Sequence, residues 1–199
     1  MESVDWDRKY AGDELLWSAT PNRFLVAETE SLPPGRALDL ACGEGRNAVW
    51  LAERGWRVTG IDFSAVAIGK AERLAASRGV EVDWVCADLR AYGPAAGAYD
   101  LVVVFYLQLP TTELAPVVAA AAAAVAAGGT LLLVGHDRTN LDEGHGGPRD
   151  PEVLWSAPGL AGSLGGLERE RSGTVRRPVD TADGVRVAVD TLVRARRPG

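Results

Sequence analysis

Two acidic residues and a glycine-rich turn are spaced as a ligand-binding unit in the first third of the chain. Asp39 lies in the apolar run 37–42, which is followed by Gly43 and Gly45, and a second apolar run ends at Asp62. The glycines let a ligand approach the backbone, and the helical pattern that follows supplies a helix N-terminus. An ionised carboxylate only accepts hydrogen bonds, so Asp62 suits the two hydroxyls of a ribose. The spacing therefore predicts a site for an adenosine-containing ligand.

Two kinds of adenosine ligand fit this unit. The pattern Gly43-x-Gly45-x-x-Ala48 also occurs in NAD-binding proteins. Asp39 favours S-adenosylmethionine (SAM), because a carboxylate can bond a cofactor ammonium, directly or through water, and would repel a pyrophosphate. A third apolar run ends near Asp88, whose carboxylate can accept a hydrogen bond from an adenine amine. The predicted C-terminal hairpin also leaves no room for a separate substrate domain.

Four motifs resemble those of class I SAM-dependent methyltransferases. They lie at residues 38–45, 60–64, 86–88 and 99–104. The form Cys-Gly-x-Gly-Arg-Asn, with the N-terminal Trp-Asp-x-x-Tyr, is most similar to the branch that holds the tellurite-resistance and thiopurine-type methyltransferases. The resemblance implies SAM as cofactor and a small-molecule methyl acceptor. The predicted cofactor-binding residues are Asp39, Gly43, Gly45, Arg46, Asp62, Phe63, Asp88, Leu89 and Phe105.

The order of elements predicts an α/β fold with a Rossmann-like, doubly wound sheet of seven strands. Strands alternate with helices, which requires a mostly parallel sheet, and the tail alternates apolar and polar residues as an antiparallel hairpin does. Predicted strands are 37–42, 56–61, 81–86, 100–105 and 130–135, with the hairpin at 167–177 and 185–196. Predicted helices start at Thr20-Pro21, span 46–54, follow the cap Ser64 and span 112–127. Residues 1–199 are expected to form one domain.

Candidate catalytic residues lie just past the fourth and fifth strands, where open α/β sheets bind their ligands. They are Tyr106, His136 and Asp137. Histidine is the usual base at neutral pH, and methylation of an amine or hydroxyl needs a base, whereas a thiolate or another soft anion does not. The acceptor atom stays open among sulfur, nitrogen, oxygen and a heavier chalcogen.

Candidate substrate-binding residues are Tyr10, Trp17, Gln108 and His145. Residues 1–32 are expected to form a helical lid, although their aromatic side chains could equally pack as core. The long segment 136–163 is expected to be a substrate loop, with a structural loop or a metal site as alternatives. No helical or zinc-type spacing supports a metal.

Composition limits the other classes of function. The chain has 199 residues, 47% of them hydrophobic, and a net charge of −6. No apolar run is long enough for a membrane span, the acidic balance makes nucleic acid an improbable partner, and a cytoplasmic location is expected. The two cysteines are expected to be small buried thiols too far apart for a disulfide. An NAD-dependent oxidoreductase and a non-catalytic SAM-binding subunit stay open as alternative functions; the oligomeric state does not follow from the sequence.

Overall fold

A computed structural model describes residues 3–199, which form a seven-stranded sheet with helices on both faces. The strands are β1 (Arg36–Leu40), β2 (Arg57–Asp62), β3 (Asp83–Cys86), β4 (Tyr99–Phe105), β5 (Val125–His136), β6 (Glu168–Thr181) and β7 (Gly184–Arg196). The α-helices are α1 (Ser3–Tyr10), α2 (Arg23–Thr29), α3 (Arg46–Ala52), α4 (Ala65–Arg78), α5 (Thr111–Ala124), α6 (Asn140–Glu143) and α7 (Ala157–Leu160). Short 3₁₀ turns lie at Pro151–Val153 and Ala161–Ser163.

The strand order is β3-β2-β1-β4-β5-β7-β6. Strands β1 to β5 pair in parallel, and β7 enters antiparallel between β5 and β6. The carboxyl ends of β1, β2, β4 and β5 therefore meet at one edge of the sheet. The predicted fold, including the antiparallel hairpin, is confirmed.

Alternate residues of β4 show how the core divides between the two faces. Leu101 and Val103 pack with the side of α2 and α3, whereas Val102 and Val104 pack with the side of α5. All four are fully buried. A strand buried on both faces has no polar alternation, which is why β4 reads as a continuous apolar run.

Two helix boundaries differ most from those predicted. Helix α2 begins at Arg23 and not at Thr20, because the Asn22 side chain caps it by accepting a hydrogen bond from the Phe24 N–H at 2.9 Å. Helix α5 ends at Ala124, three residues before the predicted end. Val125 is already extended (φ −68°, ψ 126°) and pairs with β4, so Gly128 and Gly129, which follow the predicted helix end, lie inside β5.

Segment 136–163 is anchored to the core by a few buried side chains, and half of its residues are exposed. Trp155 is almost fully buried, and its indole N–H donates to the Leu107 carbonyl at 3.2 Å. Leu154 and Leu160 are buried as well. Of this segment only His136 lines the cavity described below.

The cysteines are both free, but only one is buried. Cys42 follows β1 in the sequence and is buried. Cys86 is exposed because it ends β3 at the edge of the sheet. The expectation of two buried thiols is therefore wrong for Cys86. Among residues 3–199 no helix combines the length and the apolar character that crossing a bilayer requires.

Candidate active site

A cavity of about 380 Å³ lies at the carboxyl edge of the sheet, and residues from the N-terminal segment and from β6 complete its wall. Twelve of the predicted site residues line it: Tyr10, Trp17, Gly43, Arg46, Asp62, Phe63, Asp88, Leu89, Phe105, Tyr106, Gln108 and His136. Four others, Asp39, Gly45, Asp137 and His145, do not. The parallel strands thus bring most of the predicted residues to one concave surface.

Asp62 is held rigidly at the cavity wall. Its Oδ2 accepts a hydrogen bond from the Gly43 N–H at 2.9 Å, and its Oδ1 accepts one from the Ser64 N–H at 3.0 Å. Burial raises the pKa of Asp62, while these N–H donors oppose the shift. A carboxylate has about four lone-pair positions, so each oxygen can still accept from a ligand hydroxyl.

Asp39 lies behind the cavity wall and is not one of the residues that line the cavity. It is 1% exposed, and neither carboxylate oxygen has a hydrogen-bond partner within residues 3–199. Burial first, and then the negative charge of Asp62, raise the pKa of Asp39 to about 7, whereas the nearby Arg46 opposes the shift. Asp39 does not line the cavity, and its contact with a cofactor ammonium, direct or through water, stays a prediction.

A side chain would be unfavourable at both glycines of the turn, but for different reasons. Gly43 has φ +53°, and a Cβ there would lie 3.1 Å from the Tyr10 hydroxyl at the cavity wall. Gly45 has φ +81°, and a Cβ there would meet Trp84 at 2.6 Å and Ala71 at 2.7 Å. Close packing against α4 and β3 is thus sufficient to require glycine at position 45, and its contact with a cofactor stays a prediction.

Arg46 and Asp88 both line the cavity as partly exposed charges. Burial lowers the pKa of Arg46, although Tyr106 and Asp39 lie near enough to oppose the shift. A cation in this position suits a ligand carboxylate. The Asp88 carboxylate instead accepts hydrogen bonds from the side chain and backbone of Arg90, which lower its pKa.

Glu44, which the sequence analysis assigned no role, fastens the N-terminal segment to the glycine turn. Its Oε1 accepts from the Leu16 N–H and its Oε2 from the Trp17 N–H, each at 3.0 Å. Lys70 of α4 completes the arrangement, with Nζ 3.0 Å from Glu44 Oε1 and 2.5 Å from the Glu14 carbonyl. Both charged side chains are almost fully buried. An acid between two glycines is the only signal of this role in the sequence.

Aromatic residues of the N-terminal segment line the cavity. The rings of Trp6 and Tyr10 stack with centroids 5.6 Å apart, and both line the cavity with Trp17. Tyr10 is buried, and Trp17 is about half exposed at 47%. Asp7 of α1 accepts a hydrogen bond from the Ser64 hydroxyl at 2.5 Å, next to Asp62.

A second group of polar side chains lies at the opposite end of the cavity and comes from four strands or their ends. Asp190 of β7 is 0% exposed, and its Oδ2 accepts from the Tyr106 hydroxyl and from Arg177 Nε, each at 2.8 Å. His136 Nδ1 lies 3.3 Å from Asp190 Oδ1. Burial would raise the pKa of Asp190, but its hydrogen-bonding neighbours lower it below its usual value.

Tyr106 has the left-handed φ of +53°, which is unusual for a residue other than glycine. Burial first, and then the charge of Asp190, raise the pKa of its phenol. The phenol donates its proton to Asp190, so it is suited to positioning and not to accepting a proton. Asp190 and Arg177 were not predicted as site residues. Both lie in the C-terminal hairpin, where polar residues alternate with apolar ones as they do in a strand with one solvent-exposed face.

Asp137 and His145 do not take the roles predicted for them. The Asp137 carboxylate is buried and accepts hydrogen bonds from the Thr139 N–H, the Thr139 hydroxyl and the Thr191 hydroxyl. These bonds fix the chain after β5 and leave no route to the cavity. His145 is exposed outside the cavity, where its N–H donates to the Val187 carbonyl at 2.9 Å. Within residues 3–199 no three His, Cys, Asp or Glu side chains are grouped as metal ligands.

Residues 37–129 match the family model described as a methyltransferase domain. One curated relative is the ribosomal RNA small subunit methyltransferase C of Alcanivorax borkumensis, 39% identical over 70 residues, which are 35% of this chain and 21% of the relative. The chain spans less than half the length of the curated relatives that it matches.

Two solved structures extend the similarity over nearly the whole chain. One comes from work on the conversion of a disulfide bond into a thioacetal group during echinomycin biosynthesis, with a TM-score of 0.77, 24% identity and coverage of 98% of this chain and 92% of that one. The other is TehB from Haemophilus influenzae, with a TM-score of 0.74, 19% identity and coverage of 98% and 67%. These likenesses concern the fold, and the family match covers a little under half of the chain. Residues 37–129 are therefore similar to methyltransferase domains.

Proposed function

We propose that this protein transfers a methyl group from SAM to a small-molecule acceptor. The observation that carries the proposal is the Asp62 carboxylate, which two backbone N–H groups fix at the cavity wall with lone pairs left for a ribose. The absence of a side chain at Gly43 and the cation at Arg46 fit the methionine part of the same ligand. When bound, SAM supplies an electrophilic methyl group on a positively charged sulfur.

The same geometry disfavours NAD. A pyrophosphate at a glycine turn is held by free backbone N–H groups, but the Gly43 N–H already donates to Asp62. Asp62 and the buried Asp39 would also repel its two negative charges.

The acceptor end supports a small molecule as substrate. The N-terminal segment and the Arg177 region of β6 wall the cavity in, so a compact acceptor can be enclosed and shielded from water. His136 lines this end and is the chain's candidate for taking a proton from the acceptor, while Gln108 offers a polar contact. A cytoplasmic location belongs to this proposal and is supported by two cysteines that stay unpaired.

Isothermal titration with S-adenosylhomocysteine, the demethylated product, tests the cofactor assignment, with NAD as the comparison ligand. We expect binding of S-adenosylhomocysteine and none of NAD; the reverse preference would overturn the proposal. Transfer of labelled methyl groups to a panel of hydroxyl, amine, thiol and chalcogen acceptors then separates an enzyme from a non-catalytic SAM-binding subunit.

The Asp62→Ala variant tests the residue that carries the proposal. Losing charge-assisted hydrogen bonds to a ribose should weaken S-adenosylhomocysteine binding by about 10- to 150-fold, which corresponds to roughly 1.5–3 kcal/mol. Asp88→Ala is the matched comparison and should cost less, because Arg90 already occupies that carboxylate. Circular dichroism and thermal unfolding confirm that each variant is folded. Equal affinity of wild type and a folded Asp62→Ala would remove this residue from the site.

A further inference from the structure

The strand register places a buried carboxylate directly behind His136. Asp190 is the residue opposite His136 in the antiparallel pairing of β5 and β7, so the two side chains leave the sheet on the same face. His136 Nδ1 lies 3.3 Å from Asp190 Oδ1. This contact does not meet the geometry of a hydrogen bond, and neither of the two buried atoms has a hydrogen-bond partner within residues 3–199. Each is therefore the available partner of the other.

The other oxygen of Asp190 is already committed. Its Oδ2 accepts from the Tyr106 hydroxyl and from Arg177 Nε, which anchors the carboxylate from two directions. The phenol also accepts from Arg177 Nε at 3.1 Å. A buried carboxylate held in this way presents Oδ1 to His136 with little freedom to turn.

The imidazole of His136 has two close neighbours. The Tyr106 ring lies on one side, with centroids 4.8 Å apart. Gly147, with φ +75°, lies so close that a Cβ would come 3.0 Å from three imidazole atoms. These neighbours limit the space in which the ring can turn away from Asp190.

We propose that Asp190 is the positioning residue that keeps His136 protonated on Nδ1, so that Nε2 is the nitrogen that accepts a proton at the cavity. This inference rests on the proposed methyl transfer and narrows its acceptor to a hydroxyl, phenol or amine. The proton of the acceptor O–H or N–H would pass to Nε2, and the electron pair of that bond would stay on the oxygen or nitrogen that takes the methyl group. The methyl–sulfur bond would break as the new bond forms, and the sulfur would keep that electron pair and leave as a neutral thioether. A thiolate, which has no proton to lose, would not need this arrangement.

Nitrogen-15 NMR of the histidine rings tests the inference without knowledge of the acceptor. The chain contains only two histidines, so His145→Gln assigns both ring signals, and exposed His145 serves as internal reference. In the neutral ring, long-range proton–nitrogen correlations should show His136 as the Nδ1–H form. A free imidazole prefers the Nε2–H form, so this result reports on a partner at Nδ1. An Nε2–H ring in the wild type would overturn the inference, and no variant has to fold for that outcome.

The Asp190→Asn variant adds the causal test. An amide can donate to Nδ1, so the Nδ1–H population of His136 should fall while the His145 signals stay unchanged. An unchanged His136 tautomer in the folded variant would also overturn the inference. Titration of the wild type with S-adenosylhomocysteine tests the proposed function separately. If the wild type did not bind this ligand, methyl transfer would be refuted. The tautomer of His136 would still decide the role of Asp190.

Discussion

The buried Asp39 side chain couples the stability of the protein to pH. Its pKa is raised to about 7, first by burial and then by Asp62, whereas an unfolded aspartate titrates near 3.9. Between these values the folded chain keeps a proton that the unfolded chain has lost. The contribution of Asp39 to stability therefore falls as pH rises from about 4 to 7 and stays low above that range.

We predict that Asp39→Asn is more stable than the wild type at pH 8 by up to about 4 kcal/mol, and that this advantage shrinks as pH falls toward 4. Asparagine mimics the protonated acid and carries no buried charge. Denaturant unfolding of both proteins across this pH range measures the difference, with exposed Asp183→Asn as the control. A difference that does not change with pH would contradict the assigned shift.

The residues that the sequence predicted best are those whose chemistry is local. Gly43 and Asp62 are recognisable because a turn and a strand end fix their relation over a short stretch, and the structure joins them by one hydrogen bond. The packing of Gly45 against Trp84 and Ala71 was not predicted, since both neighbours are distant from it in sequence. No local sequence pattern predicts which distant side chain will pack against a glycine.

At the scale of elements, the N-terminal segment depends on one buried ion pair. Glu44 and Lys70 are nearly inaccessible to water, and together they bond the backbone at three positions of the loop after α1. Removing one partner of such a pair leaves the other charge buried, which is costly. The response with the smallest free-energy cost is that the loop detaches and lets water reach the Lys70 ammonium.

We therefore predict that Glu44→Gln opens the loop locally without unfolding the sheet. Amide hydrogen exchange of Leu16 and Trp17 should accelerate by about 10- to 100-fold, corresponding to roughly 1–3 kcal/mol, while the amides of β4 stay protected. Dissociation of S-adenosylhomocysteine should also become faster, because Trp17 lines the cavity.

The control for this experiment is Glu53→Gln. Glu53 pairs with Arg78 at 3.5 Å in a partly exposed ion pair, and such pairs contribute little. Its exchange pattern should match that of the wild type. Equal protection of the loop in Glu44→Gln and Glu53→Gln would show that the buried pair does not hold the segment.

The elements themselves were largely predictable, but their contributions to the site were not. The hairpin was expected from the alternation in its second strand, yet that alternation suggested only a solvated face. Insertion of β7 beside β5 sets Asp190 opposite His136, more than 50 residues earlier in the chain. That register is a product of the whole sheet, so local sequence could not reveal it.

At the scale of the whole molecule, ligand binding and folding are linked, because only the folded chain assembles the cavity from strands that are far apart in sequence. A ligand that binds only the folded state stabilises it by about 2.7 kcal/mol at a concentration of 100 times its Kd. For a chain of 199 residues, each kcal/mol raises Tm by about 2–4 °C.

We predict that S-adenosylhomocysteine at this excess raises Tm by about 5–11 °C, and that NAD at the same concentration has no effect. Differential scanning calorimetry at several ligand concentrations measures the shift, which should grow with the logarithm of concentration. Asp62→Ala should need a higher ligand concentration, by its loss of affinity, to reach the same shift. A rise in Tm with NAD that equals the rise with S-adenosylhomocysteine would mean that the cavity recognises adenosine alone, and the assignment of the methionine part to Gly43 and Arg46 would fail.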